Sequence, residues 1–205
     1  MSILVVFAVA GSLQADVVID FEGLSDSTTL TDQYTGLTFT NAIVLSAGIG
    51  LNEFEVPPRS GTNVVSDNNG AMVIDFASPI QSFAGYFTYY EALTIQAFDE
   101  ALSPLSPIVQ SMYNINVGCD PGPVCLGDTG SNPNEYLSLA SLGGISRIII
   151  TGDPSGGSFA LDDLTYVPAA PVPEPVDVIS LPVFLSALLV YRQIRIRTTN
   201  TQAKA

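Results

Sequence analysis

The chain has 205 residues, with 20 acidic and 6 basic side chains, 47% hydrophobic residues, and neither histidine nor tryptophan. From Asp16 to Pro175 it carries 19 acids and two arginines, a net charge of −17, and such a surface repels nucleic acid and anionic lipid. The missing histidine excludes Ser-His and Cys-His nucleophile pairs. The roughly 150 residues between the apolar ends suffice for one domain.

Residues 1–15, MSILVVFAVAGSLQA, combine an apolar run, a Gly-Ser break and the small residue Ala15. This predicts a signal peptide handled by the Sec export machinery and cleaved before Asp16, although no Lys or Arg precedes the run. The other reading of this run is a buried first strand.

Strand signals fill the predicted domain, 16–167. In VVIDFE (17–22), alternation puts Val17, Ile19 and Phe21 on one face and Val18, Asp20 and Glu22 on the other. LTFTNAIVLSAG follows, then AMVIDF (71–76), IQSFAGYFTYY (80–90), LTIQAFD (93–99), YLSLA, ISRIIITG (145–152) and SFALDDLTYV (158–167). These runs are rich in β-branched and aromatic residues. Between them lie Asn69-Gly70, Ser103-Pro104, Asn132-Pro133, Gly143-Gly144 and the 153–157 turn. The expected fold is all-β, an antiparallel β-sandwich of jelly-roll type, with stretches 47–70 and 113–135 as loops at its ends. Asn69-Gly70 is expected as a hairpin turn.

Several residues in this domain are candidates for chemistry. Cys119 and Cys125 flank Pro121, Gly122 and Pro123; in an oxidising compartment a disulfide would close this short loop and stabilise it by about 2 kcal/mol, the alternative being two free thiols. Zinc lacks further soft ligands. Asp20 and Glu22 on the first strand and Asp162 and Asp163 on the last converge if those strands are neighbours. Two arginines cannot neutralise such a cluster, whereas a structural calcium can; the alternative is separate, solvated acids. Tyr86, Tyr89 and Tyr90 are candidates for stacking on sugar rings. Alternation groups Tyr86 with Tyr90 and Phe87 with Tyr89, so one of these pairs belongs to the core. Glu53 and Glu55 are spaced to share a strand face, which keeps a carboxylate-pair glycosidase in view.

Residues 168–175 form a proline-rich linker ending in Val172-Pro173-Glu174-Pro175. The run 176–191 is nearly long enough for a transmembrane helix. The tail 192–205 carries Arg192, Arg195, Arg197 and Lys204, so it is expected on the cytoplasmic side of the inner membrane with the acidic domain outside.

The order VPEP, apolar helix, arginine cluster resembles the PEP-CTERM sorting signal. The resemblance implies export by a Gram-negative bacterium that makes extracellular polysaccharide, and recognition of Pro173, Glu174 and Pro175 by the membrane enzyme exosortase. Cleavage would then move the protein from the cytoplasmic membrane to the cell surface or extracellular matrix. Asp177 and Pro182 inside the helix, and eight residues after Arg197, depart from the usual pattern. IDFEGL and GGSFALDDLTYVP also resemble β-sandwich domains of that family. The expected function is a non-catalytic surface or matrix protein that binds or organises extracellular polysaccharide. The alternatives are a secreted glycan hydrolase on the same fold and a plain single-span anchored binding protein.

Overall fold

In a computed structural model of the chain, residues 14–119 and 125–169 are described. The expected signal-peptide core, the Pro-Gly-Pro turn at 121–123, the VPEP motif, the apolar segment 176–191 and the basic tail lie outside these residues. Among the described residues no helix is long and apolar enough to cross a membrane.

The described part is all-β and antiparallel. Its strands are β1 (Val17–Ile19), β2 (Leu37–Thr40), β3 (Ala42–Ser46), β4 (Asn63–Asn68), β5 (Met72–Tyr89), β6 (Thr94–Phe98), β7 (Val109–Gln110), β8 (Glu135–Thr151) and β9 (Gly156–Pro168). They form one sheet in the order β3-β4-β9-β5-β8-β6-β7, with β1 paired to β9 and β2 to β5. Two of the expected strands fuse at Pro79 to make β5, and two fuse at Gly143-Gly144 to make β8.

These fusions explain how one sheet encloses a core. The first half of β5 pairs with β2 and with the second half of β8, whereas its second half pairs with β9 and the first half of β8. Between Asp75 and Ile80, and again between Ile80 and Ser82, the register shifts. Ala77, Ser78, Pro79 and Gln81 are all exposed at this irregularity. Pro79 is tolerated there because a bulged position needs no ladder N–H. Side chains from both halves, among them Ile74, Ile148 and Ile95 from one and Phe87, Phe159 and Leu161 from the other, belong to one buried cluster.

The groups set by alternation keep together: Ile19 and Phe21 are core, and of the two aromatic pairs in 86–90 it is Phe87 and Tyr89 that are buried. β1 stops at Ile19 because Phe21 has a φ of 61°, outside the strand region. The segment 37–48 divides at Asn41, whose φ is 57°. Asn69-Gly70 does turn the chain, with φ of 64° and 126°, but it is not a hairpin. β4 pairs with β3 and β9, not with β5, so this turn carries the chain from one half of the sheet to the other. β4 itself lies within the stretch expected as loop 47–70. Its polar residues are buried and bonded: Asp67 accepts from Ser158 N (2.8 Å), Ser158 Oγ (2.9 Å) and Phe159 N (2.9 Å).

One irregularity positions the site described below. Leu161 and Leu164 are both fully buried, yet three positions apart they would fall on opposite faces of a regular strand. The register of β9 against β5 shifts by one residue between Tyr86↔Asp162 and Ala84↔Thr165, and Asp163 takes up the extra residue with a φ of 46°. This β-bulge keeps both leucines in the core. Aspartate and asparagine tolerate that backbone far better than β-branched residues. Asp163→Val should therefore destabilise the domain by about 1–3 kcal/mol in urea unfolding, and Asp163→Asn by much less. Equal stabilities for the two variants would show that the backbone at 163 bears no such constraint.

Candidate functional site

The outer face of the half built from β1, β9, β5 and β8 presents three cross-strand rows set by register. The first row is Asp162, Tyr86 and Tyr136; the second is Val18, Thr165, Ala84 and Ser138; the third is Val167, Ser82 and Ala140. Small side chains in the second and third rows leave a groove of about 450 Å³, lined by Asp16, Ser82, Ala84, Tyr136, Ser138 and Thr165 among others. A further depression of about 260 Å³ shares Ser82, Ala140 and Val167 and reaches Gln81 and Leu142. From Tyr136 to Ala140 the floor runs about 13 Å at the usual rise of a strand.

The aromatic end of the groove is built from three elements. Tyr86 and Tyr136 face each other across β5 and β8, with ring centroids 5.2 Å apart and planes tilted by 55°. Tyr136 is 55% exposed. The guanidinium of Arg59 sits 4.6 Å from the centroid of the Tyr86 ring, a cation–π contact worth about 0.5–1 kcal/mol at an exposed site.

Arg59 belongs to a loop tied down by carboxylates. Asp162, 1% exposed, accepts from the backbone N–H groups of Arg59 (2.7 Å), Ser60 (3.0 Å) and Asp163 (2.7 Å). The Ser60 hydroxyl donates to Asp163 (2.7 Å). On the far side, Glu22 accepts from Thr62 N (2.8 Å), Thr62 Oγ1 (3.1 Å) and Asn63 N (2.6 Å). Gly61 lies between these anchors; a Cβ there would come within 2.2 Å of the Glu22 carboxyl carbon.

The sequence places Asp20, Glu22, Asp162 and Asp163 together as candidate calcium ligands. In the structure the oxygens of Glu22, Asp162 and Asp163 face N–H and O–H donors of the 59–63 loop, and Asp20 accepts from the Glu22 N–H (3.2 Å). Among the described residues no three acidic, cysteine or histidine side chains stand together at metal-ligand spacing. In the structure these acids organise a loop.

Of the candidate stacking residues, Tyr86 is on the exposed face. Tyr89 is a correction: it is fully buried in the core, its hydroxyl donates to Glu135, and burial reinforced by that carboxylate pushes its pKa up. It cannot meet a ligand. Tyr90 is half-buried and donates to Glu55 (2.7 Å), which, after burial, also raises its pKa. It lines a separate depression of about 230 Å³ with Leu45, Leu51, Val56 and Ala160. Glu53 accepts from Gly48 N (2.9 Å), so neither glutamate of the NEFEV stretch stands free as half of a carboxylate pair. Cys119 and Cys125 are joined as a disulfide, with Cα atoms 4.6 Å apart. Sequence reading missed Tyr136 and Arg59; only the register opposite Tyr86 and the loop anchored on Asp162 bring them to that ring.

No protein-family model matches this chain, and no curated protein matches it. Among solved structures, the K2 cleaved adhesin domain of Lys-gingipain is similar at 14% identity with a TM-score of 0.46, over 75% of this chain and 99% of that one. A family 29 carbohydrate-binding module is similar at 12% identity and a TM-score of 0.39, over 74% and 91%. A family 6 carbohydrate-binding module is similar at 13% and 0.36, over 75% and 94%.

Burial, helped by the charge of Asp163, raises the Asp162 pKa to about 6, against the opposing pull of three backbone N–H groups. The ordinary carboxyl value is about 3.9, so the fold favours the protonated form. The resulting stability is fully present below about pH 4 and is lost as pH rises through about 6. A carbon-detected NMR titration of the Asp162 carboxyl should show a midpoint near 6. A midpoint near the ordinary carboxyl value would remove burial as the dominant influence.

Proposed function

We propose that this chain is an exported, non-catalytic surface or matrix protein whose acidic β-domain binds extracellular polysaccharide along the Tyr86–Tyr136 groove. The observation that carries this reading is the tyrosine pair, Tyr136 exposed and Tyr86 half-buried, beside a shallow, elongated floor of Ser82, Ala84, Ser138, Ala140 and Thr165. A sugar ring offers C–H faces and a rim of hydroxyls. The tyrosine faces suit the former, and the serine and threonine hydroxyls, each donor and acceptor, suit the latter. The floor is long and open, which suits a chain better than a compact metabolite. In this reading the two halves of the folded sheet form a jelly-roll-like sandwich, with the groove on an outer face.

Export and sorting belong to the same proposal. The support is the sequence order at the C-terminus: VPEP, an uncharged run, then arginines. Proline denies a helix its N–H and biases the preceding residue towards extended backbone, a sequence preference that suits recognition of this triplet as a peptide, and the charge of Glu174 disfavours entry into the bilayer. An exosortase would cleave there and release the domain to the surface.

Two experiments test the parts separately. In calorimetric titrations of the purified domain against a panel of bacterial and plant polysaccharides, Tyr86→Ala and Tyr136→Ala should each weaken the best ligand by about tenfold or more, roughly 1.4 kcal/mol. No reducing ends should accumulate. Release of reducing ends would turn the reading to the hydrolase alternative, and unaltered affinity in both variants would remove the groove. In a host with demonstrated exosortase activity, deletion of Pro173–Pro175 should leave full-length protein in the membrane while the wild-type chain is shortened. Identical, intact, membrane-bound forms of both would favour the plain anchor.

A further inference from the structure

The described residues contain two arginines, and they are used differently. Arg147 makes a two-point ion pair with Asp75, opposite it in register (Nε–Oδ1 2.6 Å, Nη2–Oδ2 3.0 Å). Arg59 makes no ion pair among the described residues, in a domain rich in acids. Its exposed guanidinium lies instead on Tyr86, at the aromatic end of the groove.

The chain holds Arg59 there from the backbone. Its N–H donates to the buried carboxylate of Asp162, and the next N–H shares the same oxygen. The Pro57 carbonyl accepts from Asn134 Nδ2 (3.0 Å), and Thr62 and Asn63 are fixed on Glu22. The two acids bonded to this loop on β9 point their oxygens at its N–H and hydroxyl groups. The side chain of Arg59 is thus presented while its neighbours are engaged. A cation–π contact uses none of the five guanidinium N–H donors, so a planar fork suited to two-point recognition of a carboxylate remains available.

From this geometry, and resting on the glycan reading above, we infer that the preferred ligand is a largely neutral polysaccharide bearing a uronic acid residue, whose carboxylate pairs with Arg59, held on Tyr86, while its neighbour packs on the exposed Tyr136 ring. A uniformly charged polyanion is disfavoured. The net charge of −17 opposes it, and Asp16 on the groove wall rejects a second carboxylate there. At physiological salt the Debye length is about 8 Å, so the remote acids are screened and the contacting guanidinium decides the outcome for an isolated uronate.

The test is calorimetric titration of the domain at physiological salt with three ligands of equal length. These are a neutral linear gluco-oligosaccharide, the same chain with one glucuronate, and the methyl ester of that glucuronate. The wild type should bind the free acid about tenfold more tightly than the other two. In Arg59→Gln, which keeps the backbone N–H to Asp162, the three affinities should converge, and Arg59→Lys should restore part of the preference. Equal affinities in the wild type, or a preference that survives Arg59→Gln, would overturn the inference while leaving glycan binding intact. Failure of all three ligands to bind, with no member of the wider polysaccharide panel bound either, would instead overturn the glycan reading and this inference with it.

Discussion

A carboxylate with almost no solvent access, on a strand interrupted by its neighbour, organises this molecule's outer face. Asp162 stands directly across from Tyr86 on the adjoining strand, and it is buried because the 57–63 loop folds over it. That loop has backbone N–H groups with no strand to bond, and leaving them buried without acceptors would cost about 1–3 kcal/mol each. Asp162 answers two of them and Glu22 two more. The bulge at Asp163 that lets Leu161 and Leu164 share the core is also what brings two consecutive acids to the outer side. Core packing, loop docking and the position of Arg59 thus depend on one stretch, Leu161-Asp162-Asp163-Leu164.

The sequence makes part of this arrangement legible and hides the rest. Alternation groups Ile19 with Phe21 and Phe87 with Tyr89, because a two-residue period needs no knowledge of partners, but it does not say whether the Phe87–Tyr89 face or the Tyr86–Tyr90 face is the buried one. It does not reveal that Pro79 and Gly143-Gly144 sit inside continuous strands. Proline and glycine pairs ordinarily end strands, and here they mark the bulges at which one sheet folds over. β4 was hidden for a different reason: Asn63, Ser66 and Asp67 look like loop residues, but each is buried with hydrogen-bond partners from distant segments. The candidate site divides similarly. Tyr86 was visible among its aromatic neighbours, whereas Tyr136 is 50 positions away and joins it only through the register of β5 and β8. Asp20 and Glu22, just beyond the end of β1, and Asp162 and Asp163 on β9 belong to neighbouring segments, since β1 and β9 pair. Their role was not legible, since the donors they meet come from a loop whose path no local pattern predicts.

The groove and the charge distribution suit each other. Small side chains across three strands make a floor that a flexible polymer can cross without burying ionised groups. Apart from Asp16 on the groove wall and Arg59 at its aromatic end, charge lies away from this floor, where it discourages contact with nucleic acid and anionic membranes. On the proposed reading, such a surface holds a glycan by one aromatic end and a row of hydroxyls.

The most direct test of this account is NMR mapping of the labelled domain during titration with fragments of the best-binding polysaccharide. The account predicts that shift perturbations and intermolecular contacts concentrate on the Tyr86 and Tyr136 rings and on Ser82, Ala84, Ser138 and Thr165, while Tyr89 and the core stay unmoved. Contacts confined to Leu45, Leu51, Val56 and Tyr90, with the Tyr86–Tyr136 face unchanged, would contradict it.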